Sequence, residues 1–489
     1  MLFLGFSAGL PILLVFGTLS VWLNEAGIKK SAITYFSWAG LGYGFKFVWA
    51  PLIDQARLPL LTTWLGKRRS WLLLCQLVLL AILAGMAMTD PVAGDNGLLV
   101  MALLAVALGF ASASQDIVID AYRIEITPPR LLGMSASTYT LGYRVAMIIA
   151  GAMALVMSEK LGSGLNHYHY GAWRSTYLFM AALMMIGVVT TLVIGEPTNS
   201  REALNSRGSK QLLLLFLVLL IPFIAVYYWW NPVVGSLISL SDLSPAMYFV
   251  VTAIRFLTAA LCCYMVAWLL IKLQWVPTSV ATASYWHPVK EFIQRYPLGL
   301  VVTILLLIGF YRISDMVLGV IANIFYQDIG FSKESIGYAS KFFGVIVTLL
   351  GSFWGGYLIV KFGVMRMLLW GAILAAATNL LFMLLAAAGN QLWLLYSVII
   401  ADNLAAGIAS IAFVTFLSRL SNIRFTAMQY AIFTSVMILL PRVLGGYSGG
   451  IVEATNYQTF FLITTLMGLP VVLLVWFVGR RLTLDEEKT

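Results

Sequence analysis

A helical face with two carboxylates and an arginine closes a long apolar run in the first third of the chain. The positions that share this face are Ser112, Asp116, Asp120 and Arg123, because an α-helix turns once in about 3.6 residues. Gln115 lies beside them. An ionised carboxylate inside hydrocarbon costs at least about 2.5 kcal/mol, so it faces a partner or water rather than lipid. The spacing therefore predicts a polar cavity inside a bundle of membrane helices.

A structural role for these side chains is the alternative interpretation. Asp120 and Arg123 also suit a helix end that is held at the lipid headgroups. Gln115 and Asp116 lie deeper in the apolar run, where anchoring is a weaker explanation, so they favour the cavity.

Composition predicts a polytopic α-helical membrane protein. Of the 489 residues, 61% are hydrophobic and 10% are charged, whereas soluble domains carry about 25% charged residues. The apolar segments are long runs and not the short alternating strands of a β-barrel. Cys75, Cys262 and Cys263 all lie in apolar runs, so we expect small buried side chains and no disulfide framework. The first residues carry no basic region or cleavage site, so we expect no removable signal peptide.

Hydropathy in windows of about 19 residues predicts fourteen spans, each long enough to cross about 30 Å of hydrocarbon. They run over 2–24, 33–54, 71–89, 98–121, 132–157, 173–195, 212–234, 247–272, 299–327, 335–361, 366–388, 393–417, 425–449 and 457–480. As a helix, the segment 288–296 has an apolar face opposite a charged and polar face, which predicts a short helix on the membrane surface.

The distribution of basic residues predicts the orientation. The net charge is +10, and most of the 30 basic residues lie in the loops that share one side with both termini. The positive-inside rule places that side in the cytoplasm, and the charge serves orientation and contact with anionic lipid rather than nucleic acid. Six basic residues fall inside the predicted spans: Lys46, Arg144, Arg255, Arg312, Lys341 and Arg442.

Several of these residues belong to an internal repeat. The matching pairs are Gly109 with Gly407, Ala111 with Ala409, Ser112 with Ser410, Arg144 with Arg442, and Lys46 with Lys341. The pairs occur in the same helix order and at nearly one spacing. The sequence therefore predicts two homologous six-helix halves, 1–195 and 299–489. Between them, 196–298 carries two extra spans and the surface helix, and we expect the extra spans to pack outside the twelve-helix core.

Two six-helix halves with a basic, glycine-bearing loop after the second helix resemble the major facilitator superfamily. In that loop, Asp54 ends one span and Gly66-Lys67-Arg68-Arg69 precedes the next. Asp54, Lys67, Arg68 and Arg69 are predicted to close the inner face by charge-assisted contacts and then to release it.

The first half resembles, more narrowly, the anhydromuropeptide permeases (AmpG type) of Gram-negative bacteria. The segments that carry this resemblance are Gly5-Phe6-Ser7-Ala8-Gly9-Leu10-Pro11, Phe45-Lys46-Phe47-Val48-Trp49-Ala50-Pro51-Leu52-Ile53-Asp54, Ser112-Ala113-Ser114-Gln115-Asp116-Ile117 and Gly142-Tyr143-Arg144. The second half matches more loosely, through Ile313-Ser314-Asp315, Ser340-Lys341 and Asp402-Asn403. The resemblance implies proton-driven import, across the inner membrane, of N-acetylglucosaminyl-1,6-anhydro-N-acetylmuramyl peptides for peptidoglycan recycling.

A sugar–peptide ligand needs hydrogen-bonding groups, cations and aromatic surface between the two halves. The predicted substrate-binding residues are Gln115, Asp116, Lys46, Tyr43, Tyr143, Arg144, Lys341 and Asn403. The cations among them suit ligand carboxylates. The alternative is pairing with protein acids: Arg144 with Asp116 or Asp120, Lys341 with Asp315, and Arg442 with Asp402.

Asp116 and Asp120 are the predicted carriers of the coupling proton. Burial and a neighbouring carboxylate both disfavour an ionised carboxyl group, so one of the pair is expected to bind and release a proton. Its neighbour is expected to stay ionised against Arg144. Asp315, one turn after Arg312, is the second candidate.

Other function classes fit less well. The sequence has no phosphate-binding glycine loop, His-Glu-x-x-His or nucleophile elbow, so we expect no cofactor and no ATP-driven pump. His167 and His169 form a lone His-x-His in a loop, which does not predict a metal site. An acyl-CoA or other organic-anion transporter of the same fold is the main alternative. A membrane-embedded acyltransferase is less favoured, because the three histidines, which include His287, lie outside the predicted spans.

Overall fold

The computed structural model describes residues 1–28, 41–94, 96–164, 167–198, 206–235, 245–445, 451–452 and 454–482. Within these residues, 11 helices are long and apolar enough to cross a membrane, and Leu257–Lys272 and Ile423–Ile438 are shorter apolar helices. The predicted all-α fold class is confirmed. The predicted second span, 33–54, lies only partly within the described residues, so the number fourteen stays a prediction.

The helices of the first half are α1 (Leu2–Val15), α2 (Gly17–Glu25), α3 (Leu41–Phe45), α4 (Ala50–Gln55), α5 (Leu61–Leu65), α6 (Lys67–Ala87), α7 (Gly97–Ile126), α8 (Leu132–Ile148), α9 (Ala154–Lys160) and α10 (Tyr170–Val193). A 3₁₀ turn, Lys46–Val48, joins α3 to α4, and a π-helical turn, Ile149–Met153, joins α8 to α9.

The middle segment holds α11 (Ser206–Gly235), α12 (Pro245–Lys272), α13 (Thr278–Ala281) and α14 (His287–Arg295). The second half holds α15 (Leu298–Phe310), α16 (Ile313–Asp328), α17 (Lys333–Ile336), α18 (Gly344–Phe362), α19 (Val364–Ala388), α20 (Leu392–Leu420), α21 (Thr426–Gly445) and α22 (Tyr457–Arg481).

The first span is interrupted at corresponding places in the two halves. Phe16 separates α1 from α2, and Tyr311 and Arg312 separate α15 from α16. Arg312 has φ −104° and ψ 13°, which is not helical, and it precedes the first turn of α16. Such breaks leave a new helix end, with its unpaired backbone groups, inside the bundle.

The same helix pairings occur in both halves. The first span packs on the fifth and sixth, as α1 on α8 and α10, and as α15 and α16 on α21 and α22. Between halves, α8 packs on α18, and α21 packs on α4 and α7. This exchange of equivalent helices is what a two-fold related pair of halves produces. The division at 195 and 299 stays a prediction.

Hydrogen bonds between the two halves gather at one end of the bundle, which we call the Arg68 end because α6 begins there. Arg123 Nη2 donates to Ser418 Oγ (3.1 Å) and to the Tyr430 hydroxyl (3.2 Å). Ser137 Oγ donates to the Ser352 carbonyl at 2.7 Å. Near the helix ends, Arg419 donates to the carbonyl of Pro129 at 3.1 Å. The halves are therefore in tight contact at the Arg68 end.

The extra pair packs mainly on itself. Helices α11 and α12 contact each other, and α11 reaches the first half through α4. Leu212 of α11 lies in a small apolar cluster with Leu52 and Ala56. Only 12% of the most apolar 18-residue stretch of α11 is buried inside the protein. The described part of the pair therefore lies at the edge of the bundle.

Helix α14 (His287–Arg295) is the predicted surface helix 288–296, shifted by one residue. It and the segment before it connect the two halves. The segment before it bonds to the first half, with the Tyr285 hydroxyl on the Val48 carbonyl at 2.8 Å. Glu291 accepts from Arg295, Asn422 and Gln429, which fixes α14 on the second half. Burial raises the pKa of Glu291, but these hydrogen bonds outweigh burial and hold that pKa below its usual value.

Candidate functional site

Helix α7 presents the polar face that its spacing predicts. The helix is 30 residues long, about 45 Å, so it is longer than the hydrocarbon layer. Ser112, Gln115 and Arg123 have no exposed surface, and Asp116 is 9% exposed. Buried polar groups need partners, so the contacts of each side chain decide what this face does.

Asp120 forms ion pairs with two cations. Its Oδ2 lies 3.8 Å from Lys46 Nζ, and its Oδ1 lies 3.5 Å from Arg123 Nη2. Lys46 comes from the 3₁₀ turn between α3 and α4, so this pair ties the second span to α7. The expectation that the ionised acid of the pair lies against Arg144 is corrected, because Lys46 and Arg123 are the described cations within ion-pair distance of Asp120.

Asp116 has a different environment one turn earlier. Within the described residues, no cation lies within ion-pair distance of Asp116, and its buried Oδ1 accepts no hydrogen bond. The side chains in electrostatic range are Lys46, Asp120, Tyr43, Tyr139 and Tyr143. Tyr43 donates its hydroxyl proton to Ser112 Oγ at 2.8 Å. Asp116 is thus a carboxyl group with unused acceptor capacity among tyrosines.

Gln115 points into the first half. Its Oε1 accepts from Ser7 Oγ on α1 at 3.0 Å, while its buried Nε2 donates to no described group. With no exposed surface in this conformation, Gln115 positions α1 against α7. Its predicted contact with substrate stays a prediction.

Arg144 is partly buried on α8, and within the described residues no carboxylate lies within ion-pair distance of it. The charge in electrostatic range is that of Arg312, in the second half. The pairing of Arg144 with Asp116 or Asp120, the structural alternative in the sequence, is therefore not formed.

The second half carries two further acids at membrane depth. Asp315 Oδ2 lies 4.0 Å from Arg312 Nε. The pairing of Asp315 with Lys341 considered from sequence stays a prediction. Asp402 accepts from Thr378 Oγ1 at 3.2 Å and lies in electrostatic range of Asp315. The side chains of Lys341 and Arg442 lie outside the described part of the structure.

Asn403, a predicted substrate ligand, is engaged within its own half. Its Oδ1 accepts from Thr348 Oγ1 at 2.8 Å, and its Nδ2 donates to the Ile399 carbonyl at 2.9 Å. These bonds hold α18 against α20. A role for Asn403 in binding stays a prediction.

Arg68 and Asp54, both predicted as gating residues, meet in a buried network. Arg68 Nη2 donates to Asp54 Oδ1 at 2.7 Å and to Glu125 Oε1 at 2.6 Å, and Nε donates to Glu125 Oε2 at 3.0 Å. Both ion pairs are almost fully buried. Sequence reasoning missed Glu125, although an acid near the end of the apolar run of α7 was a signal for a buried cation partner.

Glu196 is a second residue that sequence reasoning missed. Its carboxylate accepts the main-chain N–H groups of Arg68 (2.7 Å) and Arg69 (3.0 Å), so it caps the N-terminus of α6. Arg69 donates instead to the carbonyls of Thr191 and Leu192. Lys67 is buried beside them. The predicted gating residues therefore tie the second, third, fourth and sixth spans of one half together.

Comparison with sequence families matches the two halves separately. The profile of the Major Facilitator Superfamily matches residues 304–488. The profile described as Acetyl-coenzyme A transporter 1 matches residues 1–207.

Two curated relatives match over nearly the whole chain. "Putative transporter AmpG 4" of Rickettsia felis is 28% identical, over 98% of this chain and 95% of its own. "Anhydromuropeptide permease" of Escherichia coli K12 is 29% identical, over 97% of this chain and 78% of its own.

Solved structures share the fold at low sequence identity. The proton:xylose symporter XylE aligns with a TM-score of 0.56 at 14% identity, over 97% of this chain and 93% of its own. FucP in its outward conformation aligns with a TM-score of 0.61 at 12% identity, over 98% and 97%. Identities this low bear on the fold alone.

Proposed function

We propose that this chain, an AmpG-type permease of the major facilitator superfamily, imports anhydromuropeptides from periplasm to cytoplasm in symport with protons. The observation that carries the proposal is Asp116 of α7, a buried carboxyl group with no described ion partner. Tyrosines from neighbouring helices surround it. A proton-coupled transporter needs a group that can bind and release a proton, and coupling sites in such folds lie near the contact between the halves.

The proposed substrate suits the surroundings of Asp116. Sugar rings and N-acetyl groups need hydrogen-bond partners and flat apolar surface, and Tyr43, Tyr139 and Tyr143 supply both. The rings of Tyr139 and Tyr143 lie 6.0 Å apart on α8. The relative from Escherichia coli carries the name of an anhydromuropeptide permease, which supports the same substrate class for this chain.

The proposed proton carrier is Asp116 rather than Asp120. Asp120 has two cations within 4 Å, and both favour its ionised form. Asp116 lacks such a partner, so burial disfavours its charge and it gains most from a proton. Asp315 remains the second candidate, with one cation at 4.0 Å.

The Arg68 end is proposed to face the cytoplasm, with both termini on that side. The excess of basic residues in its loops supports this orientation. The hydrogen bonds across that end then describe a transporter held closed on the cytoplasmic side. Substrate is expected to enter from the periplasm and to leave after the Arg123, Ser137 and Arg419 contacts separate.

The test is uptake into proteoliposomes that contain the purified protein. With an acidic outside and a neutral lumen, labelled anhydromuropeptide should accumulate above its outside concentration, and collapse of the pH gradient should stop accumulation. Liposomes without protein are the control. Unchanged substrate in the lumen distinguishes transport from an enzyme. Absence of gradient-driven accumulation would contradict the proposal.

An acyl-CoA or other anion transporter is the second candidate, because the acetyl-coenzyme A transporter profile matches the first half. Its substrate carries phosphates, which also suit the intramembrane arginines. Labelled acetyl-CoA in the same liposomes separates the two candidates. Uptake of acetyl-CoA without uptake of anhydromuropeptide would favour the second.

A further inference from the structure

Arg144 faces the second half of the protein. Gly133, Ser137 and Arg144 share one face of α8, since they are spaced by four and seven residues. Gly133 lies against Ile359 and Gly356, and Ser137 bonds to Ser352, so this face packs on α18. Arg144 continues the same face by about two turns away from the Arg68 end. It therefore lies between the halves, beyond their tight contact.

Arg312 belongs to the second half of the protein. It lies in the break between α15 and α16, at the N-cap position of the 16-residue helix α16, where its side chain makes no capping hydrogen bond. The first N–H groups of a helix have no partner within that helix, and its dipole favours negative charge there. A side-chain cation and a helix N-terminus thus coincide at membrane depth.

The charges around the two arginines are unbalanced. Arg144 and Arg312 are in electrostatic range of each other, and like charges repel in a medium of low dielectric constant. Arg312 has Asp315 Oδ2 at 4.0 Å from its Nε, and within the described residues Arg144 has no acid in ion-pair distance. An anion placed between the two guanidinium groups would relieve this repulsion.

We propose that Arg144 and Arg312 form a clamp between the halves that binds a carboxylate of the substrate peptide. Asp315 competes with that carboxylate for Arg312 until Asp315 is protonated. The inference rests on the proposed function and adds a binding site to it. Guanidinium groups bind carboxylates in bidentate fashion, so one ligand carboxylate can contact both halves. Binding then draws α8 and α16 together, which favours closure of the end opposite the Arg68 end.

The competition with Asp315 makes the affinity for the substrate depend on pH, while Asp116 stays the proposed carrier of the transported proton. While Asp315 is ionised, it is the carboxylate that Arg312 holds. A proton on Asp315 removes that charge and leaves Arg312 to the ligand. The charged or titratable groups in range of Asp315 within the described residues are Arg312 and Tyr311 before its own helix and Asp402 on α20. The helices α19, α21 and α22 also pack on α16. From α19, the Thr378 hydroxyl donates to Asp402 and the Asn379 amide donates to the Ser314 hydroxyl. From α22, the main-chain carbonyl of Thr464 accepts from the Ser314 hydroxyl.

The first experiment measures affinity of the purified full-length protein for labelled anhydromuropeptide with its peptide carboxyls free or amidated. Arg144→Gln and Arg312→Gln should each weaken binding of the free acid by about tenfold or more, since each removes a charge-assisted bond. Both should bind the amidated ligand within about twofold of wild type. Arg144→Lys should recover part of the loss.

Arg255→Gln is the matched control, because Arg255 is an intramembrane arginine on the peripheral helix α12. It should bind both ligands as wild type does. Equal losses of affinity for the free and the amidated ligand in the Arg144 and Arg312 variants would overturn the clamp. The clamp would also be overturned if these variants bound the free acid as tightly as wild-type protein does.

The second experiment follows binding against pH. Wild-type affinity for the free acid should rise as the pH is lowered, whereas Asp315→Asn should bind tightly at each pH. If the affinity of Asp315→Asn for the free acid depended on pH as wild-type affinity does, the competition by Asp315 would be overturned.

The clamp and the transport function fail in different ways. If wild-type protein takes up anhydromuropeptide while the arginine variants bind the free acid normally, the clamp is wrong and the function stands. If it binds acetyl-CoA alone and loses that binding in both arginine variants, the substrate is wrong and the anion site stands. Binding of neither anion by wild-type protein would overturn both.

Discussion

Asp116 and Asp120 lie one turn apart on α7 and have different partners. Asp120 contacts Lys46 and Arg123, so its charge is part of the packing between spans. Asp116 has tyrosines around it and, within the described residues, no ion partner. At the scale of single residues, the distribution of cations therefore separates a structural acid from a proposed proton carrier.

Substitution of these two acids separates coupling from packing. Asp116→Asn should abolish accumulation driven by a pH gradient and leave exchange of labelled for unlabelled substrate within about threefold, because a permanently neutral side chain cannot carry a proton. Asp120→Asn should lower the thermal stability of the purified protein, since Lys46 and Arg123 lose their shared partner. Gradient-driven accumulation by Asp116→Asn would place coupling elsewhere, with Asp315 next.

The Arg68 network predicts a large effect on stability. Arg68→Gln leaves Asp54 and Glu125 buried without their cation, and the loss of one partner of a buried ion pair costs about 3–5 kcal/mol. The apparent Tm of the purified protein should fall by several degrees. Arg69→Gln is the control, because Arg69 donates to main-chain carbonyls and its loss strands no charge. Equal Tm changes for the two variants would contradict this account.

At the scale of helices, two glycines allow close approaches of different kinds. Gly142 of α8 lies against the backbone of Leu2 and Phe6, so it sets the packing of α1 on α8 inside the first half. Gly356 of α18 lies against Ser137 and the Gly133 carbonyl, so it sets the contact between the halves. A methyl group at either position has no room. In the proposed transport cycle, the first contact would persist and the second would open.

Alanine at these positions should therefore act differently. Gly142→Ala should reduce the yield of folded protein, because backbone atoms block the added methyl group. Gly356→Ala should fold but favour opening at the Arg68 end. The readout is the rate at which a maleimide labels Ser352→Cys. Labelling should be faster in the double variant with Gly356→Ala than in Ser352→Cys alone. Equal labelling rates would show that Gly356 does not control this contact.

At the scale of the whole molecule, the two halves exchange equivalent helices across their contact, and the extra pair stays outside it. Helix α14 and the segment before it bond to Val48 of the first half and to Gln429 of the second. This segment therefore crosses the contact at the Arg68 end. In the proposed transport cycle, rocking of the halves would stretch this segment or release one of its attachments.

The orientation of the molecule is tested by labelling from outside the cell. In a background without Cys75, Cys262 and Cys263, Lys160→Cys should react with a membrane-impermeant maleimide in intact spheroplasts. Arg130→Cys should react only after the membrane is permeabilised, because the basic loops are expected in the cytoplasm. The reverse pattern would invert the proposed direction of closure.

The sequence by itself determined the fold class and the face of α7 that carries Ser112, Asp116, Asp120 and Arg123. Apolar runs of about 20 residues and the period of about 3.6 residues depend only on local composition and helix geometry. The family resemblance was likewise a property of short segments, and the relatives confirm it. Asp54 and Arg68 were recognised for the same reason, as the charged ends of neighbouring spans.

Only the tertiary structure decided which charges meet. The partners of Asp120 are Lys46 and Arg123, and Arg144 is in electrostatic range of Arg312 of the other half. Spacing along a helix defines which residues share a face, but it does not define which helix that face meets or how far the two are shifted. Glu125 and Glu196 joined the Arg68 network for the same reason. In a bundle of low dielectric constant, that choice of neighbours decides which acid is paired and which is left to bind a proton.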